Sequence, residues 1–511
     1  MNVEYKPYDI DTGYLFPPSL GDFLGSDHPV HAFREVTEHL DVSCLDSGFN
    51  GMGQHPYHPR MLVRLLMWGM AHKVVSTRRI EELTKRDVSY IYLAGGQRPD
   101  YRTLARFRRR NAVEIEGLFK GTVLLCARLG MVKLGHVTLD GTKLKANASK
   151  HKAMSYGRMK QEERRLMREV EELMRKAEET DKAEDEAFGE ECNGYSLPEE
   201  LQHRGKRLER IRRLREELER EKREEQGLKE GEMPEIEDKE QRSFADKDAR
   251  IMLMKGGEFD YAYNAQAVVD ETYGVLVAAD LSNEASDMVH LPRMVEGVRQ
   301  LRDELGMSEG EGTTVTADNG YFSAENIEQE GDGIELLIAS GREGKEERTK
   351  GHSKVYCLER FYYDKEKDAW RCPGGRLLIR EERRTGKSQP PLRRYICQDC
   401  SGCSLRRHCL KPGEEKRALI VKRRQLVCGE MRFRLKKPEK ADIYRRRKWV
   451  GEQPFGQIKE GMGFRGVTMR GKVFARAQWL FTCAVHNVIK AVRFILNGEI
   501  GRRKEMALAG S

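Results

Sequence analysis

The spacing of apolar residues changes along this chain and separates helical regions from strand-forming ones. From Pro59, apolar positions recur at helical spacing through MLVRLLMWGMAHKV and STRRIEELTKRD, and one longer helical stretch follows from Tyr101 to Gly130. Near Gly135 the pattern becomes alternating, and HVTLDGTKLKANAS is typical of a strand that contains Asp140. Residues 1–50 show no clear period, so we predict irregular structure there.

A second group of strand signals begins after residue 246. EFDYAYNAQAVVDE and YGVLVAADLS alternate and are joined by a short turn, which predicts an antiparallel hairpin. There follow a helix through MVHLPRMVEGVRQLRDEL, a strand ending at Asp318, a short helix capped by Ser323 and a strand IELLIAS. This order predicts a mixed α/β sheet rather than a repeating βαβ pattern.

Two long segments interrupt the sheet pattern. Residues 156–226 are dominated by Glu, Arg and Lys with apolar residues at helical spacing, and the stretch around Ala187 to Pro198 divides them, which predicts two antiparallel helices. Their charges are evenly mixed in sign, so a solvated helical hairpin is favoured over a DNA contact. Residues 341–443 are rich in Lys, Arg, Gly and Cys and form a second insertion, after which the chain is helical again.

Composition narrows the class of protein only slightly. Lys and Arg total 92 and Asp and Glu 83, which gives a formal net charge of +9 and makes polyanions reasonable partners. No apolar run approaches the roughly 20 residues that span a bilayer, and the N-terminus lacks the pattern of a secretory signal. Eleven cysteines, an odd number, suit a reducing compartment. We therefore expect an intracellular, cytoplasmic protein without a membrane partner.

Five arginines are clustered in the N-terminal helical region. They are Arg102, Arg106, Arg108, Arg109 and Arg110. Cations grouped on a helix suit the neutralisation of DNA phosphates. A helical domain with one solvated basic face explains the same composition, and the two interpretations are equal on this pattern alone.

Three acids are candidate metal ligands. Asp140 and Asp318 lie on predicted strands at positions where sites are commonly built in α/β sheets. Glu452 lies in a segment, residues 445–472, that holds eight Lys or Arg and only two Glu. Carboxylates within a basic surface are what a hard divalent cation and a phosphodiester require together.

The surroundings of Glu452 follow helical spacing. Tyr444, Lys448 and Glu452 are four residues apart and would share one helix face. Pro454 is expected to kink or restart the helix near Val450, so the alignment of Lys459 with that face is less certain. Without the strand aspartates, an ordinary surface helix with a Glu and Lys pair would explain this spacing.

Together these segments resemble the DDE transposases of bacterial insertion sequences. The matching pieces run in family order from about residue 50 to 490: HPYHPRMLVRLLMWGM, STRRIEEL, DYRTLARFRRRN, VTLDGTKLKANAS, DKDARIM, FDYAYNAQAVVDE, TADNGYFS and EQPFGQIKEGMGFRG. Their collinearity is more specific than any single motif. The resemblance implies a mixed α/β fold with a ribonuclease H-like core, a helical N-terminal domain, a helical-hairpin insertion and a Cys-rich insertion.

The resemblance also implies roles for individual residues. Asp140, Asp318 and Glu452 match the family's three metal-binding acids. The family's Tyr-Arg-Glu-Lys pattern is approached by Tyr444, Arg447, Lys448 and Lys459. Arg447 has the family spacing from the Tyr and Lys448 the spacing to the Glu, which leaves open which cation contacts the phosphate. Trp449 is either a base-stacking residue or a core aromatic, and the core position is favoured.

The implied chemistry is cleavage and rejoining of double-stranded DNA. Two Mg²⁺ or Mn²⁺ ions roughly 4 Å apart would be shared by Asp140 and flanked by Asp318 and Glu452, and would activate water for in-line attack on a phosphodiester. The freed 3′-hydroxyl would then attack target DNA at the same site. Synapsis of two element ends implies a homodimer. The alternatives are a related nuclease that does not transfer strands and a non-catalytic DNA-binding relic.

A cysteine cluster forms a second candidate metal site. Its spacing is Cys397-x2-Cys400-x2-Cys403-x5-Cys409, with Cys372 upstream. Thiols this close suit a structural, tetrahedral Zn²⁺. Free thiols and an iron–sulfur cluster remain alternatives, and the inclusion of Cys372 among the ligands is open.

These interpretations divide the chain into eight segments. They are 1–50, irregular; 51–130, helical and DNA-binding; 131–155, first part of the core; 156–245, charged helical insertion; 246–340, second part of the core; 341–443, Cys-rich insertion; 444–498, catalytic and packing helices; and 499–511, tail.

Overall fold

The computed structural model describes most of the chain as a mixed α/β protein. The described residues are 19–46, 56–148, 153–188, 199–308, 310–340, 358–381, 393–410 and 413–509.

The described helices and strands have the following bounds. The helices are α1 (Pro29–Glu38), α2 (Pro59–Ala71), α3 (Thr77–Arg86), α4 (Val88–Leu93), α5 (Tyr101–Arg110), α6 (Ile115–Arg128), α7 (Tyr156–Phe188), α8 (Glu199–Glu225), α9 (Leu291–Glu304), α10 (Ala324–Ile327), α11 (Arg406–Cys409), α12 (Arg423–Arg434), α13 (Pro438–Gly456) and α14 (Lys472–Ala509). The strands are β1 (His136–Lys145), β2 (Ala153–Ser155), β3 (Gln241–Ser243), β4 (Arg250–Leu253), β5 (Phe259–Asp270), β6 (Leu276–Ser282), β7 (Thr313–Ala317), β8 (Ile334–Ile338), β9 (Tyr362–Asp364), β10 (Ala369–Arg371), β11 (Leu377–Glu381), β12 (Arg393–Cys397) and β13 (Ala418–Val421).

The helical N-terminal region begins earlier than the sequence pattern predicted. The prediction of irregular structure over residues 1–50 is wrong for α1, because Val30, Phe33 and Val36 bury one face of a helix. The His28 side chain accepts a hydrogen bond from the backbone N–H of Val30 and caps this helix. Residues 1–18 lie outside the described part of the chain.

The long helical stretch predicted after Tyr101 is two helices. α5 ends at Arg110, and the side chain of Asn111 donates a hydrogen bond to the carbonyl oxygen of Phe107 at 3.0 Å. The backbone N–H of Asn111 donates to the same carbonyl at 3.1 Å, so Asn111 closes the last turn of α5 with both its main chain and its side chain. The predicted helix start at Pro59 is confirmed, with Pro59 in the first helical position.

The central sheet places β1 between an antiparallel and a parallel neighbour. β5 runs antiparallel to β1, β7 runs parallel to its other edge, and β8 runs parallel to β7. β4 and β6 pair antiparallel with successive parts of the outer edge of β5. The predicted β5–β6 hairpin is confirmed. So is the end of β7 just before Asp318 and the cap of α10 by Ser323, whose hydroxyl accepts from Asn326 N.

One continuous core joins the N-terminal helices, the sheet and the C-terminal helix. It includes Leu65 of α2, Val268 of β5 and Trp479 of α14, all essentially inaccessible. α14 contacts α1, α2, α6 and β6. Residues Lys472–Gly498 of α14 are long and apolar enough to cross a membrane, but 67% of the most apolar window is buried inside the protein, as in a core helix.

The first insertion is an antiparallel helical hairpin, as predicted. α7 and α8 pack together through Met159, Leu166 and Ile211, which form a small cluster separate from the main core. β2 and β3 pair at the base of the hairpin, with Ser155 opposite Gln241. Part of the segment predicted to divide the two helices, residues 189–198, lies outside the described residues.

The Cys-rich insertion is a small β-sheet with a core of its own. Its strands follow the order β13-β12-β11-β10-β9, all antiparallel where they pair. Trp370 and Tyr395 are fully buried between them. α12 follows this sheet and returns to the central one, where Arg434 forms an ion pair with Glu330.

The C-terminal helix that carries Glu452 is not interrupted where we predicted. α13 runs through Pro454 to Gly456, and a short π-helix, Gln457–Gly461, continues it. The expected break near Val450 is wrong, because Val450 and Phe455 anchor this part of the helix in the core. Packing therefore outweighs the loss of one backbone hydrogen bond at the proline.

Candidate active site

Asp140 and Asp318 lie side by side on adjacent parallel strands. The register pairs Leu139 with Ala317, so the two aspartates directly follow the last pair. Neighbouring strands are about 4.8 Å apart, so the backbones hold the two residues next to each other. Asp140 accepts a hydrogen bond from Gly141 N at 2.9 Å, and Asp318 accepts one from Gly320 N at 2.7 Å. The sheet thus brings together two of the three predicted acids.

α13 crosses directly over β1 and packs on Asp140 through Gly451, the residue before Glu452. A Cβ atom on Gly451 would lie 3.3 Å from both Cβ and Oδ2 of Asp140, and 3.1 Å from Cγ2 of Thr138. Glu452 is the next residue, and its side chain is exposed. One to two turns earlier in α13, Arg446 Nη1 donates to Glu271 Oε1 at 2.6 Å. Glu271 directly follows β5, so this contact holds α13 to the end of that strand.

The glycine at 451 allows this close approach, and we expect its substitution to disturb the site. Gly451→Ala adds a methyl group against Asp140, which moves either the helix or the carboxylate. We expect the DNA cleavage that the family resemblance implies to fall about 10- to 100-fold, since displacements near 1 Å cost that much in positioned chemistry.

Gly456→Ala is the matched control for this prediction. It lies on the same helix, and a Cβ there meets nothing within 4 Å. Both variants gain up to about 1 kcal/mol of helix propensity, so their difference reports the contact with Asp140. The steady-state cleavage rates and the thermal unfolding temperatures of both variants measure this difference. Equal cleavage by the two variants would show that the close approach does not matter.

Burial and neighbouring charges raise the pKa of Asp140 to about 6. Burial is the main cause, and the carboxylates of Asp318 and Asp287 add to it. The Gly141 hydrogen bond and the guanidinium of Arg447 act in the opposite direction. A desolvated carboxylate beside others is stabilised as an anion when a cation is placed among them.

Three of the predicted cationic and aromatic residues surround this pair. Tyr444 donates its hydroxyl to the carbonyl oxygen of Ala317 at 3.3 Å, immediately before Asp318. The Arg447 guanidinium lies 5.6 Å from the centre of the Tyr444 ring and acts on Asp140. Lys459 donates to the Thr142 hydroxyl on β1, and burial lowers the pKa of its ammonium.

The structure places Arg447 rather than Lys448 beside Asp140. Arg447 is half-buried, whereas Lys448 is exposed. Trp449 is also exposed, at 61%, so the favoured interpretation of a core aromatic is wrong. Val450, the next residue, is buried in the position that we expected for Trp449.

Sequence reasoning missed a polar network behind the two aspartates. Asp287 accepts hydrogen bonds from Lys143, Asn264 and Gln266, and Gln266 in turn contacts Tyr321. The signal in the sequence that could have indicated this network was the presence of Asn264 and Gln266 in a predicted strand. They are two fully buried amides on either side of Ala265 in β5, and buried amides need hydrogen-bond partners.

Two family models match this chain. The model described as a transposase DDE domain matches residues 371–492, and the model described as a transposase domain (DUF772) matches residues 18–110. These two matches support a DDE transposase of insertion-sequence type. The matched families indicate DNA transposition in general and a DNA-processing enzyme, of a class that typically uses divalent metal ions.

The two family models match separate parts of the chain. The DDE-domain match includes Glu452 and the Cys-rich sheet, and the other match includes α1 to α5. Neither range contains Asp140 or Asp318, so their assignment depends on the geometry described above. The second match begins at residue 18 and agrees with the early start of the helical region.

Other comparisons add little about the transposase. No curated protein matches the chain. A solved structure described as the cryo-EM structure of a piggyBac transposase synaptic complex with hairpin DNA has a TM-score of 0.30 and 9% identity, covering 93% of this chain and 76% of that chain. That similarity is too low to carry an argument.

The arginines predicted to bind DNA do not share one surface. Arg102, Arg106, Arg109 and Arg110 of the transposase are exposed on α5. Arg108 instead turns inward, where its Nη1 donates to the carbonyl oxygen of Val75 at 3.4 Å and burial lowers its pKa. The helical period explains this difference, because position 108 falls beside the buried Leu104 face.

The five predicted cysteines of the transposase line one small cavity. They are Cys372, Cys397, Cys400, Cys403 and Cys409. The loop after Cys372 lies between two of them, since a Cβ on Gly374 would be 3.4 Å from Cys403 Sγ and 3.7 Å from Cys372 Sγ. Burial raises the pKa of the Cys409 thiol, and the thiols of Cys400, Cys372 and Cys403 add to this.

Neither site is arranged as a finished metal centre. Within the described ranges, no group of three or more His, Cys, Asp or Glu side chains is already set to hold a metal ion. The carboxylates and the thiols are neighbours in the fold, and their side chains would have to turn to share one ion.

Proposed function

We propose that this chain cleaves the DNA ends of an insertion sequence and joins them to target DNA, using divalent cations held by Asp140, Asp318 and Glu452. The observation that carries the proposal is the convergence of two adjacent strands and α13 on Asp140. These elements come from distant parts of the sequence. An ordinary surface helix with a Glu and Lys pair gives no reason for a glycine pressed onto a desolvated aspartate.

The order of strands supports a ribonuclease H-like core. β6, β5 and β1 are successive antiparallel neighbours, and β7 and β8 extend the sheet in parallel. The proposed metal ligands lie on β1 and just after β7, at the point where antiparallel and parallel pairing meet. α13, which comes much later in the sequence, covers that point through its contacts with β1, β5 and β7.

The donor set suits Mg²⁺ or Mn²⁺. Carboxylate oxygens are the ligands that hard divalent cations prefer. Burial and neighbouring carboxylates raise the pKa of Asp140, so its anionic form would be stabilised by a bound cation. The cations would supply activation of water and stabilisation of the leaving oxygen at the phosphodiester. Asp140 and Asp318 hold adjacent positions, and Glu452 directly follows the glycine that packs on Asp140.

The surrounding cations orient the DNA strand. Arg447 presents a planar guanidinium beside Asp140 and can contact a phosphate through two N–H groups, whereas Lys448 contacts the backbone farther out. Lys459 contributes a partly buried ammonium next to Thr142. Tyr444 keeps the Arg447 side chain in place through its ring. The exposed Trp449 offers a flat apolar surface to an unstacked base.

The N-terminal helices provide sequence-independent contacts to duplex DNA. The exposed arginines of α5 are suited to phosphates, and Arg108 serves packing instead. We propose a homodimer that holds two element ends and acts in the cytoplasm on nucleoid DNA.

We also propose a structural Zn²⁺ held by Cys372, Cys400, Cys403 and Cys409. The N–H of Arg376 donates to Cys372 Sγ at 3.3 Å, as outer-shell donors do to zinc thiolates. Cys397 is left out of the ligand set, because its thiol donates to the carbonyl oxygen of Asp399 at 3.3 Å. Arginines at 376, 406 and 417 line the same cavity and offset the charge of four thiolates.

A cleavage and joining assay tests the catalytic proposal. The full-length protein is incubated with Mg²⁺, a labelled duplex carrying the flanking ends of its own element, and a target plasmid. We expect nicked ends and covalently joined products, both lost in EDTA. Cleavage without joining would instead establish a nuclease, and binding without either product would establish a DNA-binding relic.

A further inference from the structure

We propose that Asp287 is a positioning residue that fixes Asp140 and Asp318 at the spacing required for cation binding. This inference rests on the proposed function of that pair. Asp287 lies after β6, in the segment leading to α9, and contacts neither DNA-binding surface described above. It acts through a chain of buried hydrogen bonds.

Three donors converge on one oxygen of Asp287. Its Oδ1 accepts from Lys143 Nζ at 2.9 Å, from Asn264 Nδ2 at 2.7 Å and from Gln266 Nε2 at 3.0 Å. Lys143 belongs to β1, and the two amides belong to β5. Asp287 therefore joins the two strands on the side that leads away from α13.

The network continues to the turn that follows Asp318. Gln266 Oε1 accepts a hydrogen bond from the hydroxyl of Tyr321, which is fully buried. Tyr321 ends the short turn Asp318-Asn319-Gly320-Tyr321. A Cβ on Gly320 would lie 3.6 Å from Asp287 Oδ2, so the free oxygen of Asp287 faces the same turn.

The network also presses against the backbone next to Asp140. A Cβ on Gly141 would lie 2.5 Å from Gln266 Nε2 and 3.1 Å from the Tyr321 hydroxyl. The glycine after Asp140 thus leaves space for the two side chains that connect Asp287 to the Asp318 turn. The residues that follow both aspartates, Gly141 and the turn ending at Tyr321, therefore pack against one set of buried polar groups.

Loss of Asp287 would remove one acceptor from each of the three donors, which keep single contacts to the Ala285 carbonyl, the Glu284 carbonyl and Asn264 Oδ1. Asn264 and Gln266 are completely buried, so each amide would then hold one N–H without its acceptor, at a cost of about 1–3 kcal/mol. The network would then rearrange, and the turn that carries Asp318 would lose its fixed position. Oδ1 already accepts three donors, which favours positioning over direct coordination of an ion.

The test compares the Mn²⁺ affinity of the wild-type full chain with that of five variants, measured by electron paramagnetic resonance of free Mn²⁺. Asp287→Ala should weaken Mn²⁺ binding about 10- to 100-fold, the usual cost of removing an outer-shell partner. Asp287→Asn keeps an acceptor oxygen in the same shape and should recover most of that loss. Tyr321→Phe removes only the hydroxyl and should weaken binding to a smaller extent.

Asp260→Asn is the matched control. Asp260 forms the same kind of pair with Lys145, two residues along β1, at 2.9 Å. It has no connection to the Asp318 turn among the contacts of the described residues, and its substitution should leave Mn²⁺ affinity and cleavage unchanged. The double variant Asp287→Ala with Tyr321→Phe should be no weaker than Asp287→Ala alone, because both break one network.

The outcomes separate this inference from the proposed function. Wild-type affinity in Asp287→Ala overturns positioning, whether or not the wild type cleaves DNA. Equal losses in Asp287→Asn and Asp287→Ala also overturn it and assign Asp287 as a direct ligand. If the affinity pattern holds but the wild type never cleaves DNA, the inference stands and the transposition chemistry fails. If the wild type binds no Mn²⁺, both are wrong.

Discussion

Replacing Asp140 by asparagine is expected to abolish DNA cleavage and, in the absence of metal, to make the protein more stable. The first effect follows from the loss of a charged ligand and should exceed about 10³-fold, given that a bound cation supplies several kcal/mol to phosphodiester chemistry. The second follows from the pKa of Asp140, which folding raises from 3.8 to about 6. An acid with a raised pKa binds its proton more tightly in the folded state.

The sign of the pH dependence follows from that shift. Stability falls as the pH rises from about 4 to 6, and the full penalty is present above pH 6. Two pKa units correspond to as much as about 3 kcal/mol, so Asp140→Asn should gain up to that amount at pH 7.5 and almost nothing below pH 4. Chemical unfolding in EDTA at several pH values measures the difference.

A control and a contrary result are available for this prediction. Asp303→Asn removes an exposed carboxylate on α9 and should change neither cleavage nor stability appreciably. Saturating Mg²⁺ should cancel the stability advantage of Asp140→Asn, because only the wild type gains from binding. An asparagine variant that is less stable than the wild type at pH 7.5 would show that Asp140 is held by native contacts rather than poised for a cation.

The second large effect concerns the cysteine cluster. The purified protein should contain one zinc ion per chain, and Cys400→Ser should lose it. We expect the free energy of unfolding of the Cys-rich sheet to fall by about 3 kcal/mol or more, since structural zinc contributes directly to folding. Zinc content by mass spectrometry and near-ultraviolet circular dichroism, which reports the buried Trp370 and Tyr395, measure the two changes.

Cys397→Ser discriminates between the ligand sets. Serine can still donate to the carbonyl oxygen of Asp399, so this variant should keep its zinc and most of its stability. Loss of zinc from Cys397→Ser together with retention in Cys409→Ser would assign Cys397 to the metal instead. Full stability in the presence of a strong chelator would remove the zinc proposal.

Much of the fold was accessible from residue patterns because the central strands alternate or end in recognisable turns. The β5–β6 hairpin and the stop before Asp318 follow from period-two patterning and turn residues, which are local properties. The α7 and α8 hairpin follows in the same way from helical spacing. Family collinearity then identified the class of enzyme, which no local pattern could do.

The features that were missed depend on contacts between distant segments. α13 continues through Pro454 because Val450 and Phe455 are buried against other elements, and no local rule contains that information. Arg108 turns inward and Trp449 is exposed, the opposite of what we predicted for each residue, because packing decides which face of a helix is buried. Asp287 belongs to no recognised sequence motif. Its hydrogen bonds with Lys143 and Gln266 form only in the folded chain, so the sequence could not single it out.

Of the candidate site, the sequence predicted the three acids but not their electrostatics. Burial of Asp140 depends on a glycine 311 positions later, at Gly451, which lets α13 cover it. The choice between Arg447 and Lys448 likewise needed the orientation of that helix. The roles assigned to these residues stay predictions until the assays above are carried out.

The position of α14 has a consequence for the order in which this protein becomes active. α14 fills the space between the N-terminal helices and the sheet, so a chain still leaving the ribosome lacks the centre of its own core. The strand with Asp140 is synthesised long before the helix with Glu452. A chain in which α14 has not yet been synthesised is therefore expected to be catalytically silent, and cutting ability arises only when α14 docks.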